Sequence, residues 1–345
     1  MPTIVATGTS IPDFIATNDY VISLVLEHSR RFYSGEIAQL EHNLSVFLEK
    51  AGAKRRRWRS GFTKPLEHIS DAWLNCLSKI GPNDSKQIGA LIYCGIDKGV
   101  IEPSHASFFA QAFGLNDVRT VDVSDACMGW FTASHIASKF TTQARPYCAI
   151  ISAEFPLEVP GKVYPESFKI KNDEDLHWKG AALTLGECAS VSIVRSDAAE
   201  QEHYVFKSSN EFADLCCVPL EKAERFVESV RLQEKLGDNC FVANMAKMAV
   251  AGYRDGQDVL REYIARYGCP DVVLPHTISQ TLPAHVSKNI ITPDSLKNCF
   301  DVFGNVSTSS IPIGYEFFEC PSNRSAHIVG WIAAAGMSHC VFRIS

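Results

Sequence analysis

Three residues carry the chemistry this sequence offers: Cys127 in "VDVSDACMGWF", His276 in "DVVLPHTI" and Asn305 in "FDVFGNVSTS". A strand-like run through Val121 and Val123 reaches Asp125-Ala126-Cys127. The chain then follows a helical pattern through Phe131, Ala133, Ile136, Ala137 and Phe140, which predicts a helix over 128–140. Cys127 is thereby placed at a helix N-terminus, where unpaired N–H groups favour the thiolate, the nucleophilic form of cysteine. A neighbouring imidazole can assist that thiolate, and backbone N–H groups beside it can hold the oxyanion of an attacked thioester. The amide of Asn305 cannot titrate but can donate to a carbonyl or enolate oxygen. Cysteine, histidine and asparagine together make acyl-transfer equipment.

The other candidates weigh less. The 12 cysteines lie scattered in apolar runs such as "LIYCGI" and "PYCAII", with no CxxC pair and no zinc-like spacing, so neither disulfides nor a metal site is expected. Asp125 is close enough in sequence to complete a triad, but strand alternation sends its side chain elsewhere, and a structural role is expected. His105, His135, His285, His327 and His339 read as surface or satisfied core residues.

The elements that must position these residues alternate between strand and helix. Strands are expected at 3–11, 88–96, 118–124, 148–155, 188–196, 271–278, 299–305 and 339–345; helices are expected at 18–29, 65–80, 104–113, 128–140, 239–267 and 281–289. The segment 156–180, rich in Pro, Lys, Glu and Asp, reads as a surface excursion. Such alternation favours an α/β layered fold. A weak duplication runs through it, in which "GALIYCGI" leading to "VDVSDACMG" is echoed by "DVVLPHTI" leading to "FDVFGNVSTS". If the halves are related, Cys127, His276 and Asn305 all lie at the carboxyl ends of central strands and converge on one pocket. The halves are drawn as 1–200, with the cysteine, and 201–345, with the histidine and asparagine.

Composition is that of an ordinary globular protein, with 345 residues, 46% hydrophobic and 21% charged. A net charge of −6 gives no general attraction to nucleic acid or an anionic membrane. The N-terminal segment has no leader-like pattern and no long apolar run occurs, so a cytoplasmic protein without membrane insertion is expected.

At these residues the sequence resembles the β-ketoacyl-ACP synthase III group of thiolase-fold condensing enzymes. "IVATGTSIPDFIATNDY" is similar to its N-terminal strand and turn, "VDVSDACMGW" to its nucleophile segment, and "DVVLPHTI" and "GNVSTSSIP" to its Pro-His and Gly-Asn segments; "LTLGECASVSIV" and the closing strand also match. The likeness runs from Ile4 to Ile344. It implies a duplicated five-layered αβαβα architecture, a homodimer, and covalent acylation of Cys127 by phosphopantetheine thioesters with no further cofactor. It also implies that the backbone of Cys127 and an N–H of Ala333 or Ala334, in "WIAAAGMSH", form the oxyanion hole.

Two departures from the family pattern shape the substrate expectation. Thr281 and Val46 stand where members that take coenzyme A thioesters often carry a basic residue and a tryptophan, which points to an acyl carrier protein instead. The cluster Lys54, Arg55, Arg56, Arg57 and Arg59 offers a dock for an acidic carrier or its phosphate, against the competing reading of internally paired arginines. Glu102 in "GVIEPSHA" stands where the family usually has an apolar residue, on a loop that crosses the dimer interface. It resembles the glutamate of enzymes that join two acyl chains head to head or build pyrones, where a base must remove an α-proton. The implied activity is therefore a ketosynthase, an acyltransferase making a carbon–carbon bond by Claisen condensation in polyketide or fatty-acid-derived metabolism. The alternatives are a decarboxylating synthase using a malonyl thioester, an O- or N-acyltransferase, and a noncatalytic partner subunit. Retention of Cys127, His276 and Asn305 speaks against the last, and Asn305 speaks for carbon–carbon bond formation.

Overall fold

Strands such as Tyr147–Glu154 and Cys188–Arg195, buried at nearly every position, must be covered on both faces, and two sheets set the layering of this protein. The computed structural model describes residues 3–61, 63–158, 163–195, 203–230, 236, 240–320 and 326–345. Its strands in chain order are β1 (Thr3–Ser10), β2 (Phe14–Thr17), β3 (Arg55–Trp58), β4 (Ile88–Tyr93), β5 (Arg119–Asp122), β6 (Tyr147–Glu154), β7 (Cys188–Arg195), β8 (Tyr204–Ser208), β9 (Cys216–Cys217), β10 (Val242–Ala243), β11 (Val272–Pro275), β12 (Ile328–Ala334) and β13 (Ser338–Ile344). One sheet has the order β1-β7-β6-β4-β5 and the other β11-β12-β13-β8; β2-β3 and β9-β10 are short pairs.

Strand directions repeat between the two sheets. In the first, β1-β7 and β7-β6 are antiparallel and β6-β4 is parallel. In the second, β8-β13 and β13-β12 are antiparallel and β12-β11 is parallel. The duplication sensed in the sequence is thus present in the topology, except at one strand. β5 adds in parallel to β4, whereas on the far side of β11 a single bridge joins Val273 to Leu296.

Side-chain alternation then builds five layers. Cys148 and Ile150 of β6, with Cys340 and Phe342 of β13, enclose the helices Gly129–Ile136 and Ser310–Phe317 through Trp130, Phe131 and Ile311. On the opposite face of β6, Ala149 and Ile151 pack against the helices Pro65–Leu77 and His105–Ala112 through Ile69, Trp73 and Phe109. Beyond the second sheet, Val329, Trp331 and Val341 pack against Val259, Leu260 and Tyr263 of the helix Met245–Tyr267. Helix, sheet, helix, sheet, helix is the order the resemblance implies.

Three local expectations are corrected. Residues 299–305 form no strand: Phe300–Phe303 is one helical turn that buries Phe300 and Phe303. Amphipathic spacing in Ile37–Ala51, with Leu40, Leu44 and Leu48 fully buried and Gly52 closing the end at φ 70°, makes a helix not anticipated from the sequence. The segment 163–179 is packed inward, since Phe168, Ile170, Leu176 and Trp178 are buried; residues 159–162 lie outside those described. Its Lys179 is buried too, donating to the carbonyls of Glu166 and Lys169, which explains how a charged stretch can enter the core.

Candidate active site

Each chemical residue is placed by a different local device. Cys127 sits in the 3-10 turn Ala126–Met128 between β5 and the helix Gly129–Ile136, with Ala126 at φ 44°. His276 follows β11, its N–H donating to the Trp331 carbonyl at 2.8 Å. Asn305 follows Gly304, whose φ of 78° suits glycine and whose added Cβ would lie 2.6 Å from the Thr184 carbonyl. The Asn305 N–H donates to Thr184 O and its carbonyl accepts from Gly186 N, both at 2.9 Å. It therefore stands at the end of a helical turn clamped by a loop, rather than at a strand end. β5 and β11 are outermost in their described sheets, so the expected placement on central strands is also corrected. Convergence still holds.

The hydrogen bonds define a protonation state. Asn305 Oδ1 accepts the Ser307 N–H at 2.9 Å, which identifies that atom as the oxygen and leaves the amide nitrogen to donate elsewhere. His276 Nε2 lies 3.2 Å from the same oxygen and Nδ1 lies 2.6 Å from the Ala333 carbonyl. With an acceptor beside each nitrogen, the doubly protonated ring is the form that satisfies both contacts. Burial alone would lower the His276 pKa, but the Cys127 charge, its hydrogen bond, Ala333 and Asn305 raise it above the ordinary value. Burial would likewise raise the Cys127 thiol, yet the charge and hydrogen bond of His276, the Ser307 hydroxyl and the Ala335 N–H bring it below the usual range. The two shifts run in opposite directions and each favours the charged form, a thiolate beside an imidazolium.

Other residues fix this arrangement and were missed in the sequence. Ser307, at φ 45°, puts its hydroxyl 3.4 Å from the Cys127 sulfur. Thr277 Oγ1 accepts the Val306 N–H at 3.0 Å and lies 2.9 Å from Ser310 Oγ, joining the histidine and asparagine loops. Buried Glu154, at the end of β6, accepts from the N–H and hydroxyl of Thr308. Only the fold brings these polar atoms together; no local pattern marks them.

The backbone N–H that acts on the Cys127 thiol is that of Ala335, one residue beyond the expected Ala333 and Ala334. Both alanines are paired within β12-β13, and the Ala333 carbonyl is occupied by His276. Ala335, just past the strand, turns its N–H to the thiol.

Cys127, His276 and Asn305 line one cavity of about 2120 Å³, walled largely by apolar side chains including Phe47, Phe241, Met245, Met248, Leu282 and Trp331. Val100 and Ile101 reach its wall, but Glu102 is exposed and does not line it within the single chain. Asp125 lines the cavity and accepts the Thr132 hydroxyl at 2.5 Å.

The basic cluster is only partly a surface. Arg56 is fully buried, donating to the Ala16 carbonyl and Asn18 Oδ1, and burial lowers its pKa to about 10. Arg59 is paired with Glu187 at 3.3 Å and Glu158 at 2.6 Å and lies over the Phe155 ring. Internal pairing thus removes Arg56 and Arg59 from any docking face. Arg55 is exposed, Arg57 is partly so, and Lys54 pairs with Asp301 at the surface.

No protein-family model matches the sequence, and no curated protein matches it significantly. Solved structures do match in shape over the whole chain. A histidine-to-asparagine variant of Xanthomonas campestris OleA is 18% identical, with a TM-score of 0.77 over 99% of this chain and 97% of that one. A cysteine-to-serine variant of the same protein, with bound lauric acid and lauroyl-CoA, is 18% identical with a TM-score of 0.76 over 99% and 98%. The 3-oxoacyl-[acyl-carrier-protein] synthase III of Aquifex aeolicus VF5 is 16% identical with a TM-score of 0.74 over 99% of both chains. With five layers, repeated strand directions and this coverage, the chain has the thiolase fold shared by those structures.

Proposed function

We propose that this protein is a ketosynthase, an acyltransferase that condenses two acyl or β-ketoacyl thioesters through an acyl-Cys127 intermediate. The observation that carries the reading is the placement of Cys127, its thiol pKa lowered by His276, beside His276 and Asn305 in a cavity of about 2120 Å³. That volume exceeds the roughly 300–1,000 Å³ of an ordinary small-molecule pocket, leaving room for two chains. The thiolate adds to the first thioester carbonyl, whose oxyanion takes the N–H groups of Cys127 and Ala335. The carbon–sulfur bond to the carrier or coenzyme then breaks, its thiol leaves with a proton, and the acyl group stays on Cys127. In the second step an α-proton is removed from the second thioester, and its enolate oxygen receives donors from His276 Nε2 and the Asn305 amide. The carbanion attacks acyl-Cys127, which departs as thiolate, giving a β-ketoacyl thioester.

Glu102 is the base in this reading, supplied to the neighbouring protomer's cavity in a homodimer. Its support is the position of Glu102 beyond the lining residues Val100 and Ile101, with Ile101 92% exposed in the single chain. Solved OleA variants include replacements of a cysteine, a glutamate and a histidine, the same residue types as Cys127, Glu102 and His276. The thioester arrives on an acyl carrier protein or coenzyme A, with docking reduced to Lys54, Arg55 and Arg57. No cofactor beyond the phosphopantetheine of the substrates is required. The setting we propose is the cytoplasm; among the described residues no helix is long and apolar enough to cross a membrane.

Intact-protein mass spectrometry after incubation with acyl-carrier and acyl-CoA thioesters tests the reading. Mass increments on Cys127, followed by product without any malonyl thioester, are expected. No adduct with any thioester refutes acyl transfer, and a strict malonyl requirement returns the protein to decarboxylating chemistry.

A further inference from the structure

The loop that carries Glu102 has an exposed tip and fastened flanks. Ile101, Glu102 and Pro103 are all exposed. On the way in, Asp97 accepts the Phe155 N–H at 2.7 Å, and its carbonyl accepts the Tyr93 hydroxyl. Lys98 then pairs with Asp122 at 3.2 Å, and the Gly99 N–H donates to His105 Nε2 at 3.3 Å. On the way out, the Asp122 carboxylate accepts the N–H of His105 at 2.9 Å and that of Ala106 at 3.0 Å, at the start of the helix His105–Ala112. One carboxylate therefore holds both flanks of the loop.

The clamp is stiff for chemical reasons. Hydrogen bonds to an ionised carboxylate are about twice as strong as those between neutral groups, and the Asp122 side chain is largely withdrawn from water that would compete for them. A second tie lies alongside, where Ser107 Oγ of the same helix stands 2.9 Å from Thr120 Oγ1 of β5. Asp122 itself ends β5, the strand that delivers Cys127. The same residue thus stands between the loop of Glu102 and the nucleophile of its own chain. Geometry alone leaves two sites on which it could act, and the hydrogen bonds favour the loop.

We infer that Asp122 is a positioning residue for condensation: by holding Lys98 and the His105 and Ala106 amides together, it aims the loop tip, and with it Glu102, into the neighbouring protomer's cavity. The inference rests on the proposed role of Glu102 across a homodimer interface and adds the residue that fixes its reach. A base must come within hydrogen-bond distance of the proton it takes, and a misplacement of about 1 Å can cost about a hundredfold in rate. A tip that is exposed in its own chain takes its direction from its flanks. Asp122 therefore acts on the partner's reaction and leaves its own Cys127 unaffected.

The test is complementation between variants in mixed dimers, with subunit exchange verified by mass and lauroyl-CoA as the thioester. Asp122→Asn keeps the shape of the side chain but loses its charge and one acceptor. It is expected to load Cys127 at near the wild-type rate and to lose about a hundredfold in condensation. Mixed with Cys127→Ala it should recover product, because the Cys127→Ala subunit donates an intact loop to the intact thiol of its partner. Mixed with Glu102→Gln it should not, because neither subunit then donates an intact loop. Lys98→Met, which breaks the ion pair and leaves the helix amides held, should show the same pattern with a smaller loss, and it decides the matter if Asp122→Asn does not fold. The reverse pattern, recovery with Glu102→Gln and none with Cys127→Ala, places the effect on the residue's own nucleophile and overturns the inference, as does full condensation in both variants. Full condensation by Glu102→Gln alone refutes instead the reading of Glu102 as the base, on which the inference rests.

Discussion

At the scale of single residues, the charge of His276 sets the Cys127 thiol apart from the other buried cysteines. Cys94 and Cys188 are buried, and burial pushes both thiols far up. Cys127 is desolvated too, yet the His276 charge reverses the direction. Cys127→Ala is therefore expected to abolish covalent acylation, while Cys94→Ala and Cys188→Ala retain it; adducts persisting in Cys127→Ala would refute the assignment. The sign of the pair also fixes a pH profile. A lowered thiol keeps its thiolate to lower pH than an ordinary cysteine, and a raised imidazole keeps its charge to higher pH than an ordinary histidine. Alkylation by iodoacetamide should thus remain fast below the ordinary thiol range and fall only when the thiolate is protonated. In His276→Ala the same profile should move to higher pH, and an unmoved profile contradicts the pairing. Asn305→Ala should keep Cys127 loading but lose about a hundredfold or more in condensation, the scale of a lost oxyanion donor. Near wild-type product formation in that variant would remove the enolate role.

At the scale of elements, the site depends on how short segments end. Gly304 lets the helical turn Phe300–Phe303 stop and Asn305 enter its clamp between Thr184 and Gly186. Gly304→Ala forces a Cβ against the Thr184 carbonyl at a backbone angle that alanine resists. Destabilisation of about 1–3 kcal/mol is expected, with condensation falling further than Cys127 loading because Asn305 is the part displaced. Calorimetry and single-turnover assays separate the two effects. Leu44→Ala, in the helix Ile37–Ala51, should cost about 2–5 kcal/mol by cavity formation. Its Cys127 alkylation rate should stay unchanged, since Leu44 packs in a cluster that does not contain Cys127, His276 or Asn305.

At the scale of the whole molecule, the base of the proposed reaction lies outside the cavity of its own chain. Glu102→Gln should still load Cys127 yet fail to condense a second thioester. Mixing that variant with Cys127→Ala, each inactive alone, should restore product, because a mixed dimer pairs one intact thiol with one intact glutamate across the interface. No recovery after demonstrated subunit exchange would place the base elsewhere. The reduced basic face makes a second global prediction. Transfer from an acidic carrier protein should slow as salt rises, whereas transfer from a short thioester mimic should not.

The sequence by itself determined the alternation of strand and helix, the nucleophile at a strand-to-helix turn and the order Cys127, His276, Asn305, because these are written in local periodicity and short motifs. It also carried the helix Ile37–Ala51, in the spacing of Leu40, Leu44, Leu48 and Gly52. Tertiary structure alone decided that "CFDVFGN" is a helical turn, since one set of apolar residues satisfies either period over so short a run. It alone buried Arg56, paired Arg59 with Glu187 and moved the backbone donor to Ala335. Charge pairs and backbone N–H directions are made between segments distant in the chain, so no window of sequence contains both partners.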